Sequence, residues 1–171
     1  MAELVATALL IVLGVASLLP VEGREPPLTH PALAFGLVVM ANIEAFGAAS
    51  GAHMNPAVSL AALLLGRLPA AATAAYVLAQ LLGATLGFGL LMLLAPAAFA
   101  ERAACVGGSA VGSVAPPAAA AVEALLTAAL VLVCCAAWTK HDAGRPDPGA
   151  SLKIGLTITA VVYAGVSTIL Y

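Results

Sequence analysis

Ser50-Gly51-Ala52-His53-Met54-Asn55-Pro56-Ala57-Val58-Ser59 decides the reading of this chain, because it starts a helix in the middle of an otherwise apolar sequence. Proline fits the first turn of a helix, where its missing N–H is not needed and its φ is already helical. Asn55 stands where a side-chain oxygen caps the first free N–H groups. The tripeptide Asn-Pro-Ala alone describes the cap of any ordinary helix, and only its surroundings say more. From Asn55 to Gly66 the segment is 12 residues long and is flanked by Gly51 and Pro69. A bilayer needs about 20 apolar residues to be crossed, so this segment reads as a re-entrant half-helix.

Outward from it lie five apolar runs long enough to read as spans: Glu3 to Pro20, Pro31 to Ala49, Pro69 to Ala95, Pro116 to Trp138 and Ser151 to Tyr171. The composition agrees, with 63% hydrophobic and 8% charged residues, against about half and a quarter in soluble domains. Lipid replaces water as the solvent for such a surface, provided the backbone pairs internally. The stretch Leu4 to Leu19 resembles a signal peptide in length but lacks the basic start, since Glu3 stands there, so it is read as a span. Charge and turn residues collect in Val21 to His30, Pro96 to Ala115 and Lys140 to Ala150, which are read as loops outside the hydrocarbon. A cytoplasmic N-terminus places Arg67, Lys140, Arg145 and Lys153 inside and Arg24 and Arg102 outside, the orientation that the positive-inside rule favours.

A net charge of −2 with scattered basic residues excludes nucleic acid as a partner. Cys105, Cys134 and Cys135 lack metal-ligand spacing and act as small hydrophobes. The spans hold no Ser-His pair, zinc spacing or paired aspartates, so no enzyme and no cofactor is expected. Small residues in Gly83-Ala84-Thr85-Leu86-Gly87 suit close helix contact in lipid, where packing holds helices together, or reflect base composition alone.

The chain also repeats itself. Glu3 and Thr7 recur as Glu123 and Thr127, an offset of 120, and Phe35-Gly36-Leu37 recurs as Ile154-Gly155-Leu156, an offset of 119. Three spans per copy invert the second copy, with a solute site between the halves. Asn55 follows Gly36 by 19 residues, so its twin belongs near position 174, past Tyr171. The expected division is therefore a first repeat at 1–95, an outer connection at 96–115 and an incomplete second repeat at 116–171.

With its motif, its Glu3 to Thr7 start, Ala79-Gln80, Gly83 and the Glu123 to Thr127 repeat, the sequence resembles the aquaporin, or major intrinsic protein, family throughout its length. The resemblance implies an all-α inverted-repeat membrane bundle of five spans and one half-helix, a C-terminally truncated member lacking the second Asn-Pro-Ala half-helix and the sixth span. It implies a passive channel for water and small neutral solutes such as glycerol in the complete form, in a homotetramer at the plasma membrane. The alternative is a truncated, non-conducting protein that co-assembles with full-length subunits. Asn55, Pro56 and Ala57 form the pore motif, and Gly51, Ala52 and His53 its wall, with His53 a buried, backbone-paired histidine rather than a pH sensor. Counting by the repeat places Phe35 and Val162 in the outer filter, where valine in place of histidine implies a wider or less polar opening. Glu3 and Glu123 are implied to support the re-entrant loops, Glu123 the more firmly, since Glu3 stands in the interface near the N-terminus. Glu44 is expected at the inner end of its span, facing the vestibule or a neighbouring subunit.

Overall fold

A computed structural model describes residues 1–102, 115–145 and 147–169. Within these, the regular elements are helices: α1 (Ala2–Ala16), α2 (Thr29–Ser50), α3 (Pro56–Leu64), α4 (Ala70–Leu94), α5 (Pro96–Arg102), α6 (Pro116–Asp142) and α7 (Ala150–Ile169). An isolated bridge joins Val21 and Arg24 in the first connection.

The ends of these helices follow from local chemistry. Gly51, at φ 82°, closes α2 in the left-handed conformation that glycine tolerates. Asn55 takes extended geometry before Pro56, and its Oδ1 accepts from Ala57 N–H at 2.8 Å. At the other end of α3, Gly66 N–H donates to the Leu63 carbonyl and Arg67 N–H to the Ala62 carbonyl, with Gly66 at φ 69°. That pair of bonds is the Schellman closure of a helix. The half-helix is thus Pro56–Leu64, slightly shorter than the segment outlined by Asn55 and Gly66.

Three helices, α2, α4 and α6, are long and apolar enough to cross a membrane by themselves, while α1 and α7 are shorter apolar helices over their described side chains. The 15 residues of α1 extend about 22 Å, short of a hydrocarbon core about 30 Å thick. The connection expected at 96–115 begins as a helix, since Pro96 sits at the start of α5 rather than in a turn. Cys105, with the rest of 103–114, lies outside the described residues.

The bundle is inside-out relative to a soluble protein. Leu82, Leu86 and Leu93 on α4 and Leu125 and Leu132 on α6 are exposed, whereas Ser59, Gln80 and Asn42 are buried. Lipid accepts the leucines, and internal hydrogen bonds accommodate the polar groups. α1 packs on α4 and α2, α7 on α2 and α6, and α3 sits between α4 and α6.

Glycine sets two of these contacts. A Cβ on Gly83 would collide with the Leu4 carbonyl oxygen, and one on Gly87 would lie 2.6 Å from that of Ala8, so α4 touches the backbone of α1. The repeat-related pair Gly36 and Gly155 meet each other: a Cβ on Gly155 would stand 2.7 Å from the Gly36 carbonyl oxygen. Equivalent residues in contact are what a two-fold relation between repeats produces at its axis.

One end of the bundle, here the proximal end, gathers the end of α2, the α3–α4 connection and the α6–α7 connection. Ser151 at the start of α7 donates to Glu44 near the end of α2, so Glu44 ties these helices together. Asp147 accepts from Lys140, Lys153 and Gly149 N–H. The hydrogen bonds from Lys153 and Lys140 hold its carboxyl well below the usual aspartate range.

Glycine to alanine in a helix ordinarily adds about 1 kcal/mol of stability. Gly89→Ala, whose Cβ meets nothing within 4 Å, is expected to raise the thermal midpoint in detergent, and Gly36→Ala to lower it. Equal shifts of the same sign would contradict a Gly36–Gly155 contact.

Candidate functional site

The loop before α3 holds two non-glycine residues in the left-handed region, Ala52 at φ 48° and Met54 at φ 50°. Each costs on the order of 1 kcal/mol or more and persists only where surrounding contacts fix it. Glu3 supplies that fixation. Its Oε1 accepts from Ser50 Oγ at 2.6 Å and His53 N–H at 2.9 Å, and its Oε2 from Met54 N–H at 2.8 Å and Gln80 Nε2 at 2.9 Å. Four donors from α2, the loop and α4 thus converge on one carboxylate, which is 3% exposed.

The network extends further. Gln80 Nε2 also donates to Ser59 Oγ at 2.9 Å, and Ser59 Oγ lies 3.1 Å from His53 Nδ1. Tyr76 Oη donates to the Ser50 carbonyl at 2.9 Å. From the opposite side Asn42 Nδ2 donates to the Ala6 carbonyl at 2.9 Å and to Met54 Sδ at 3.2 Å. Every neighbouring helix of the first repeat therefore grips the loop.

Gly51, Ala52, His53, Met54 and Asn55 line a cavity of about 470 Å³. Its other walls carry apolar side chains, Val39 and Ile43 from α2, Leu130 and Cys134 from α6, and Ile154 and Ile158 from α7, with Arg67, His141 and Asp147 among the lining at the proximal end. The loop thus contributes a polar strip beside apolar side chains of α2, α6 and α7. A cavity of this size holds on the order of ten waters at liquid density. Among the described residues no group of three or more His, Cys, Asp or Glu is placed to hold a metal.

The residues singled out from sequence fall into two groups. Asn55, Gly51, Ala52 and His53 come together at the cavity, with Pro56 and Ala57 beginning the helix that points its N-terminus there. Phe35 and Val162 do not line it. Phe35 packs its ring over Gly14 beside Val15, Leu91 and Phe99, and Val162 is half-buried on α7. Glu3, rather than Glu123, is the buried carboxylate, because the end of α2 and the loop fold over the start of α1; Glu123 is exposed on α6. Asn42, Ser59 and Tyr76 were not singled out. A buried amide in an apolar span is the signal that marks Asn42, since polar groups there need partners.

Glu3→Gln keeps the size of the side chain but turns an NH₂ towards donors. It is expected to cost about 2–4 kcal/mol in unfolding free energy, from loss of charge-assisted bonds and unpaired N–H groups. Thermal denaturation in detergent measures it, and a change within error would show that the carboxylate does not hold the loop.

Comparison with known proteins bears on the same geometry. The family model for major intrinsic protein matches residues 1–169. Aquaporin-4 of Mus musculus is 38% identical over 99 residues, covering 56% of this chain and 31% of the relative. Aquaporin-5 of Sus scrofa is 41% identical over 95 residues, 56% of this chain and 36% of the relative. The matched stretch is thus about a third of those relatives' length. A crystal structure of the aquaglyceroporin from Plasmodium falciparum shares the fold, with TM-score 0.77 and 24% identity over 98% of this chain and 70% of that one. The half-helix, the inverted packing about Gly36 and Gly155 and the match along nearly the whole sequence lead to one assignment: this chain belongs to the major intrinsic protein family, a family of membrane channels and not of enzymes.

Proposed function

We propose that the chain contributes to a passive channel for water and small neutral solutes such as glycerol, with α3 as the half-helix on its proximal side. The observation that carries this is the N-terminus of α3, fixed by Asn55 at the edge of the cavity. That terminus bears partial positive charge and disfavours cations, hydronium included. Asn55 Oδ1 is committed to Ala57 N–H, which turns Nδ2 to serve as the donor for a passing oxygen. The carbonyls of Gly51, Ala52 and His53 are the matching acceptors in this reading. A solute that both donates and accepts replaces its lost hydration along such a strip, whereas an ion does not.

Phe35 and Val162 are assigned to a filter at the far end, less polar than one with histidine, which favours inclusion of glycerol. Arg67, Lys140, Arg145 and Lys153 gather at the proximal end, which supports a cytoplasmic proximal face. Location in the plasma membrane and assembly as a homotetramer are part of the same proposal, as is a supporting role for Glu123 towards the second loop.

Osmotic shrinkage of vesicles reconstituted with the protein tests the reading. Shrinkage is expected to exceed that of empty vesicles, and Asn55→Ala, which loses a cap worth about 1 kcal/mol and the Nδ2 donor, to slow it. Permeability no greater than that of empty vesicles would sink the proposal.

A second reading rests on one exposed stripe. Pro56, Leu60 and Leu64 fall on one face of α3 and are exposed, Leu64 at 77%. A surface of this kind suits a chain that co-assembles, without conducting, with a full-length channel subunit. Co-expression with a full-length relative decides it: stable association and altered flux are expected, and neither association nor any effect on flux removes it.

A further inference from the structure

Arg67 and Trp138 stand outside the pore motif, yet both line the cavity at its proximal mouth. Arg67 is the residue whose N–H completes the Schellman closure of α3, so its backbone is fixed to the half-helix by the bond to Ala62 at 2.8 Å. Its guanidinium lies 5.3 Å from the centre of the Trp138 ring and pairs with Asp142 one turn further along α6. Trp138 in turn packs against His53, centroid to centroid 5.5 Å, and His53 against Tyr76 at 5.4 Å. A continuous chain of contacts between flat groups, tilted by 42° at His53–Trp138 and edge-on at 67° at His53–Tyr76, therefore runs from the α3–α4 connection across to α6 and back to the re-entrant loop. It joins the two repeats at the opening of the cavity.

We propose that Arg67, Trp138 and Asp142 form a second, proximal constriction that limits the size of solute entering the cavity; this rests on the channel reading above. The indole is the rigid wall, the guanidinium closes over its face, and Asp142 pins the guanidinium in that position. Water and a three-carbon polyol pass a gap bounded by flat faces, and guanidinium N–H groups offer them donors on the way. Bulkier polyols are turned back before they reach Asn55. Trp138 and Arg67 are thus specificity-determining residues, with Asp142 a positioning residue acting through Arg67.

Trp138 is the sole tryptophan in the chain, so its emission reads its contact with Arg67 whether or not vesicles conduct. In the reconstituted chain, Arg67→Gln and Asp142→Asn are each expected to raise acrylamide quenching of Trp138 about twofold or more, as a contact of cation–π strength is released. Quenching that stays at the wild-type level in both, with helical circular dichroism retained, overturns the constriction. In vesicles that shrink faster than empty ones, Trp138→Ala is expected to raise the permeability of a four-carbon polyol relative to water about threefold or more, in the range set by small changes in pocket size. Trp138→Phe, a milder change that retains a ring, should move the ratio less and in the same direction. An unchanged ratio with water permeability retained in both variants overturns the assignment of specificity. Vesicles that shrink no faster than empty ones count against the channel reading, and the quenching measurement then decides the constriction by itself.

Discussion

The Glu3 carboxylate is the interaction on which the rest of the structure depends. An ionised carboxyl among apolar helices is costly unless its lone pairs are all used. Here they are used by Ser50, His53, Met54 and Gln80, which belong to different elements. Two of the donors are backbone N–H groups of a segment that includes left-handed Ala52 and Met54. The carboxylate and the strained loop thus stabilise each other: the loop satisfies the charge, and the charge makes an unfavourable backbone the best available one. Asn55 follows directly, so the place where α3 starts is set by a residue more than fifty positions earlier in the chain.

Around that point the bundle is assembled by close contact rather than by apolar burial. Gly83 and Gly87 bring α4 onto the backbone of α1, which carries Glu3 to within reach of Gln80. Gly36 and Gly155 do the same for α2 and α7 at the junction of the repeats. In lipid such approaches replace the hydrophobic effect as the source of specificity, because leucines on the outer surface gain nothing by leaving hydrocarbon for protein. The interior is consequently free to hold amides and hydroxyls, and the cavity forms between the polar strip of the loop and apolar side chains of α2, α6 and α7.

Much of this was legible in the chain itself. The half-helix follows from Pro56, the capping Asn55 and a run too short to cross, whereas for Gly83 and Gly87 the sequence offers close helix contact and base composition as equal readings, and the Gly36–Gly155 contact comes from the tertiary structure. The relative standing of Glu3 and Glu123 was not. Glu3 stands so close to Met1 that an interfacial position is the natural reading, and nothing local says that the end of α2 folds over it. Pro96–Arg102 reads as connection because of its position after a span, yet its proline begins a helix. Asn42 and Tyr76 are single polar groups whose partners, the Ala6 and Ser50 carbonyls, come from elsewhere in the sequence.

The sequence by itself therefore determined that this is an apolar helical bundle with a re-entrant half-helix and an inverted repeat, because those features are local: period, length, caps and copies of a short pattern. Only the tertiary structure decided which polar groups serve the loop and what stands at the mouth of the cavity. Arg67 and Trp138 are 71 residues apart and meet through the closure of α3 and the packing of α3 against α6. Such contacts depend on the relative placement of whole helices, which no spacing along the chain encodes.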